Sequence, residues 1–230
     1  MQLLRDTGMT RVFHGRLLSL LACTVTIVVL TPFVSNSLLG QIVIWAVAAG
    51  ASISTVYGLR LGRRAMFFTL SLGILSVAAG TTSAITGSQT AYQITIITAG
   101  AFYGLLIGLL IRYIVRAEKV TGDILFGAVC VYLLIGIVFS LIFRFIELLN
   151  PAAFAVAIDA TGSSTAGRGD FTYFSFVTLT TLGYGDIQPV SGYARTFAFM
   201  EAVTGTFYIA VLISRLVSLY VTDSILSKKK

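Results

Sequence analysis

Five stretches of this chain are apolar for long enough to cross a hydrocarbon layer as helix: Leu17–Val34, Leu38–Tyr57, Ala65–Ile85, Ala91–Ile111 and Ile124–Leu149. A helix rises about 1.5 Å per residue, so a core about 30 Å thick takes roughly 20 residues. A sixth stretch, Tyr193–Val221, is interrupted only by Arg195, Glu201 and Arg215. Lipid offers no hydrogen bonds to the backbone, so segments of this kind fold as helices. The expected fold class is therefore an all-α membrane protein with six transmembrane helices. Composition agrees, since 57% of residues are hydrophobic and only 11% charged, too few to solvate a water-facing surface.

The net charge of +7 raises the question of a nucleic-acid partner, and the placement of the basic residues answers it. Arg5, Arg11 and Arg16 precede the first span, Arg60, Arg63 and Arg64 lie between the second and third, and Arg112, Arg116 and Lys119 lie between the fourth and fifth. Lys228, Lys229 and Lys230 follow the sixth, whereas the opposite side holds only Arg144, Arg168 and Arg195. This asymmetry follows the positive-inside rule, predicting cytoplasmic N- and C-termini and no nucleic acid; the plasma (cell inner) membrane is the expected location. Cys23 and Cys130 fall inside apolar runs, where a thiol behaves as a small hydrophobe. The apolar run behind the basic N-terminus is longer than a signal-peptide core, which favours an uncleaved first span.

Arg112–Asp123 is the only polar connection between the first four spans and the rest of the chain. Residues 1–115 read as a four-helix membrane bundle rich in small residues, such as Ala46, Ala48, Gly50 and Gly80, which let helices approach closely. Residues 116–230 follow another grammar: a long span, a loop of about twenty residues, a short segment, a Gly-rich turn and a last span. Asp170 suits the N-cap of a helix running to Thr180, too short to cross the bilayer. Non-helical backbone at membrane depth is tolerated only where protein buries it or it lines a watery cavity, so this segment reads as re-entrant. Gly183 and Gly185, one residue apart, permit the backbone angles that turn successive carbonyls toward one side, where they can replace the hydration shell of a cation. Thr181 would add a hydroxyl oxygen, and Leu182 and Tyr184 would point away from the ion toward Tyr173 and Phe174.

Thr178-Leu179-Thr180-Thr181-Leu182-Gly183-Tyr184-Gly185-Asp186-Ile187-Gln188-Pro189 resembles the pore-loop signature of tetrameric potassium channels. The resemblance covers Ile124–Val221 as span, pore helix, selectivity filter and lining helix. It implies a homotetramer in which the carbonyls of Thr181, Leu182, Gly183 and Tyr184 bind K+, Gly185 completes the outer mouth, and Thr180 and Asp186 support the filter. K+ is then the permeant ion and there is no cofactor. Leu182 stands where the family usually has Val. Thr206, Ile209 and Ile213 would face the cavity, and Gly205 falls where the family often has a hinge glycine. That glycine equally suits close helix packing.

Glu201, an acid within a span, reads either as a brace bonded to hydroxyls of the pore helix or as a proton sensor. Arg144 and Glu147, three residues apart, suit a local ion pair or interface anchors. Four spans before a pore match the layout of voltage-gated channels, but Ala91–Ile111 contains no Lys, Arg, Asp or Glu, so the bundle is expected not to sense voltage. Only nine residues follow Val221 in this sequence, too few for a ligand-binding domain, so gating through an attached domain is not expected. The leading expectation is passive K+ conduction, with membrane lipids as surroundings; the alternatives are a potassium-uptake transporter or a non-conducting or regulatory membrane subunit. An enzyme is not expected, because His14 is the only histidine and no nucleophile–base pairing is evident.

Overall fold

The computed structural model describes residues 17–34, 40, 42–44, 46–48, 50–51, 63–117, 121–156 and 170–227. The helices are α1 (Leu18–Val34), α2 (Arg63–Thr86), α3 (Gln89–Val115), α4 (Gly122–Leu149), α5 (Asp170–Leu179) and α6 (Gly192–Ser227), with β1 (Phe154–Val156) and β2 (Ile187–Pro189) forming a two-stranded antiparallel ribbon. Among the described residues, α2, α3, α4 and α6 are long and apolar enough to cross a membrane. The apolar part of α1, Leu18–Thr31, is shorter. The expected span Leu38–Tyr57 lies largely outside the described residues, as do Arg5, Arg11, His14 and Lys119.

Threonines inside these helices keep their hydroxyls satisfied without leaving the helix. Thr24, Thr69, Thr95 and Thr98 each donate to the carbonyl four residues earlier at 2.8 Å. The α2–α3 hairpin is set by two residues. Gly87 adopts φ +65 beyond the end of α2 and its amide bonds the Ser83 carbonyl. Ser88 then caps α3 by accepting from the Ala91 amide.

One apolar core runs through α1, α3 and α4, with Leu17, Leu20, Phe102, Leu106, Leu110, Val131 and Leu134 buried together. Glycine allows the closest approach: a Cβ on Gly127 would lie 3.0 Å from Leu17 Cδ1. A second cluster is aromatic. Phe143 on α4 meets Phe154 of β1 and Phe174 of α5 edge to face, with centroids 5.8 and 4.9 Å apart. Cys23 and Cys130 are free thiols.

Four details differ from the sequence reading. The segment expected to be all loop after α4 contains β1, which pairs with β2 in the register Phe154↔Pro189 and Val156↔Ile187. Helix α5 starts at Asp170 itself and ends at Leu179, one residue before Thr180. Phe174 does not pack behind Tyr184; it sits in the aromatic cluster, because neighbouring positions on a helix point about 100° apart. Arg144 and Glu147 form no ion pair: the Arg144 Nη2 reaches across to Thr172 Oγ1 of α5 at 3.4 Å.

Candidate pore loop and lining helix

Helix α5 is held from behind. Thr172, Phe174, Ser175, Val177 and Leu179 are buried, whereas Tyr173 and Thr180 are exposed. The Gly136 position on α4 is a notch for the Phe176 ring, since a Cβ there would lie 2.8 Å from Phe176 Cζ. Ser175, fully buried, bonds the Gly136 carbonyl at 2.7 Å and also the Glu201 carboxyl of α6. Glu201 is itself fully buried. A single hydroxyl thus ties α4, α5 and α6 together beneath the Gly-rich turn.

Beyond α5 the backbone folds back on the helix end. Thr181 N–H bonds the Thr178 carbonyl at 2.9 Å, and Leu182 and Gly183 both donate to the Val177 carbonyl, at 2.9 and 3.3 Å. Thr181, Gly183 and Gly185 have φ of +58, +60 and +79. In an extended strand successive carbonyls alternate in direction. A left-handed φ at every second residue is the change that brings them to one side, and only Gly adopts it cheaply. At Thr181 a β-branched residue pays for this conformation, a local strain typical of functional backbone. Space does not restrict Gly183, because no atom lies within 4 Å of where a Cβ would be; the conformation does.

The turn continues into a braced rim. Tyr173 stacks on Tyr184 with rings 7° from parallel and centroids 6.4 Å apart. The Tyr173 hydroxyl donates to the Asp186 carboxylate. Asp186 Oδ1 accepts from the Ile187 amide at 3.0 Å, and Gln188 Nε2 donates to the Gly185 carbonyl at 3.0 Å. The Ala153 carbonyl accepts from Val190 and Ser191, and Arg195 Nε donates to the Pro189 carbonyl at 3.2 Å. These contacts of Gln188, Ala153 and Arg195 depend on the ribbon, which the sequence does not signal. Leu182, 56% exposed, and Tyr184, 67% exposed, leave the turn open on the surface of a single chain.

Helix α6 has two unlike faces. Glu201, Gly205 and Tyr208 recur at helical spacing and face the chain's own helices: a Cβ on Gly205 would collide with the Leu179 carbonyl, and Tyr208 Oη donates to the Ala128 carbonyl at 2.7 Å. Thr206, Ile209 and Ile213 lie on another stripe and are exposed, as are Phe207 and Val211. The Thr206 hydroxyl bonds back to the Ala202 carbonyl. At the far end Arg215 Nη2 donates to the Val115 and Ala117 carbonyls, each at 3.1 Å, closing the C-terminus of α3. Only 17% of the apolar window of α6 is buried within the chain, against 56% for α4. Among the described residues no group of three or more His, Cys, Asp or Glu could hold a metal ion.

Residues 128–222 match the family model described as ion channel. The chain is 34% identical over 88 residues to two pore potassium channel c of Oryza sativa subsp. japonica, covering 36% of this chain and 19% of that protein. It is 44% identical over 54 residues to two-pore potassium channel 3 of Arabidopsis thaliana, covering 24% of this chain and 12% of that one. Protein LctB of Bacillus caldotenax is 27% identical over 122 residues, covering 53% of this chain and 90% of LctB. The matched region spans about a fifth or less of the plant relatives' length. No solved structure matches. The similarity to potassium channels, with the apolar helices, supports a multi-pass membrane protein with a channel-type region in its second half.

Proposed function

We propose that this chain is one subunit of a homotetrameric potassium-selective channel with six spans and cytoplasmic termini. In this reading residues 1–115 form a bundle that does not sense voltage, and residues 116–230 form the pore. The observation that carries the proposal is the left-handed backbone at Thr181, Gly183 and Gly185, at the end of a helix too short to cross the membrane. Carbonyls of Thr181, Leu182, Gly183 and Tyr184 replace the water around K+, and four copies close the ring. The short helix aims its negative C-terminal end at the cavity below, which favours a cation there. Glu201 acts as a brace through Ser175, and the exposed stripe of Thr206, Ile209 and Ile213 lines the cavity.

Flux through reconstituted protein tests this reading. The unaltered chain is expected to pass K+ far faster than Na+. Gly183→Ala places a Cβ at a positive φ, and Tyr184→Val removes the ring stacked on Tyr173; each is expected to abolish flux or its selectivity. Unchanged selectivity in both variants refutes the filter.

A further inference from the structure

Between α1, α2, α3 and α4 lies a cavity of about 240 Å³, walled by Ile27, Ile96, Ala99, Ile137 and Leu141 and ending at Arg144 and Thr172. A second, more polar cavity of about 480 Å³ adjoins it, bordered by Gln89, Glu147 and Pro151. Both share Ser83, Gly87 and Arg144 in their walls. The pair is amphipathic along its length, apolar toward the middle of the spans and polar at the end nearest the start of α5.

Two opposite charges at the junction lack full satisfaction. Arg144 uses Nη2 on Thr172, while its Nε is buried without a hydrogen-bond partner. The Phe154 amide bonds the Glu147 carboxylate, while Glu147 Oε2 is also buried without a partner. The two side chains leave α4 one turn apart and do not pair with each other. Buried charged groups are costly unless partnered, so a ligand offering an anion to one and an N–H donor to the other is favoured. A purely anionic headgroup fits less well, because Glu147 repels it.

We propose that this cleft binds a membrane phospholipid with a primary-amine headgroup, its phosphate on Arg144, its ammonium on Glu147 Oε2, and an acyl chain between Ile96 and Leu141. The guanidinium suits phosphate, to which it donates in a planar fork. The carboxylate selects an ammonium that still carries N–H over a quaternary one, which can make no hydrogen bond. The site lies on the side of the membrane where the Asp186 end of the turn sits, away from the exposed stripe of α6.

Lipid titration of the purified full chain, read by native mass spectrometry, tests the proposal without reference to ion conduction. Dioleoyl phosphatidylethanolamine is expected to bind about tenfold more tightly than the phosphatidylcholine of the same chains, the discrimination a charged hydrogen bond supplies. Glu147→Gln is expected to bring that ratio close to one while phosphatidylglycerol binding rises. Arg144→Gln is expected to weaken all three lipids. The N-methyl and N,N-dimethyl headgroups, titrated against the unaltered chain, require no variant to fold and are expected to fall between the two extremes in order. Equal binding of ethanolamine and choline lipids, a ratio unchanged by Glu147→Gln, or preference for phosphatidylglycerol by the unaltered chain would overturn the assignment.

Discussion

Gly205 meets the end of the short helix so closely that a single methyl group distinguishes its two possible roles. A Cβ there would collide with the Leu179 carbonyl and lie 2.9 Å from Leu179 Cδ1. Backbone cannot swing aside as a side-chain tip can, so Gly205→Ala must push α6 away from α5 or move Leu179. Overpacking of this kind costs about 1–3 kcal/mol. Leu179 is two residues before Thr181, so the displacement is transmitted straight to the proposed filter. Gly205→Ala is therefore expected to lower both thermal stability and K+ over Na+ selectivity in flux. A glycine acting purely as a hinge predicts instead altered opening with selectivity intact, and single-channel recording separates the two outcomes.

At the scale of elements, the connection between halves of the chain runs through helix ends as well as core. Arg215 on α6 donates from across the chain to the carbonyl of Val115, the last residue of α3, and to that of Ala117 just beyond it. The last carbonyls of a helix lack intrahelical partners, and a cation is favoured there because the helix dipole is negative. Arg215→Leu is expected to free the end of α6, raising amide exchange beyond about Leu212 by roughly tenfold, the effect of losing a charged hydrogen bond, and to leave exchange around Ser175 unchanged. Uniform acceleration along α6 would show that Arg215 stabilises the whole helix rather than its end.

The apolar runs made α2, α3, α4 and α6 legible, and the Thr180–Asp186 segment marked the non-helical turn. The ribbon was not legible, because strands of three residues carry no period to read. Nor was the left-handed Thr181, since a β-branched residue argues against that backbone. Helix spacing offered Glu147 as the partner of Arg144, but spacing within one helix says nothing of Thr172 arriving from another.

At the scale of the whole molecule, the distribution of exposed apolar surface and of charge bears on assembly and on gating together. The face of α6 bearing Phe207, Ile209, Val211 and Ile213, with Leu182 and Tyr184 above it, is uncovered in one chain. Four copies around an axis would bury part of that surface and leave the rest against the cavity, with α1, α2 and α3 at the periphery. Peripheral helices drive a pore by voltage only if they carry charge through the field. In α3 the only charged residue is Arg112, in the last turn, and the charges of α2 are at its start, Arg63 and Arg64. One elementary charge crossing the full field contributes about 2.3 kcal/mol per 100 mV, enough to shift an open–closed ratio nearly 50-fold. Charges confined to helix ends cross little of that field. The open probability of the reconstituted channel is accordingly expected to change less than about threefold between −100 and +100 mV, well below what one charge would produce. A steep voltage response would require movement of charges outside α2 and α3, such as Glu201 within α6, or of the filter ions themselves. Substituting Rb+ for K+ tells these apart, since only an ion-driven response changes with the permeant ion.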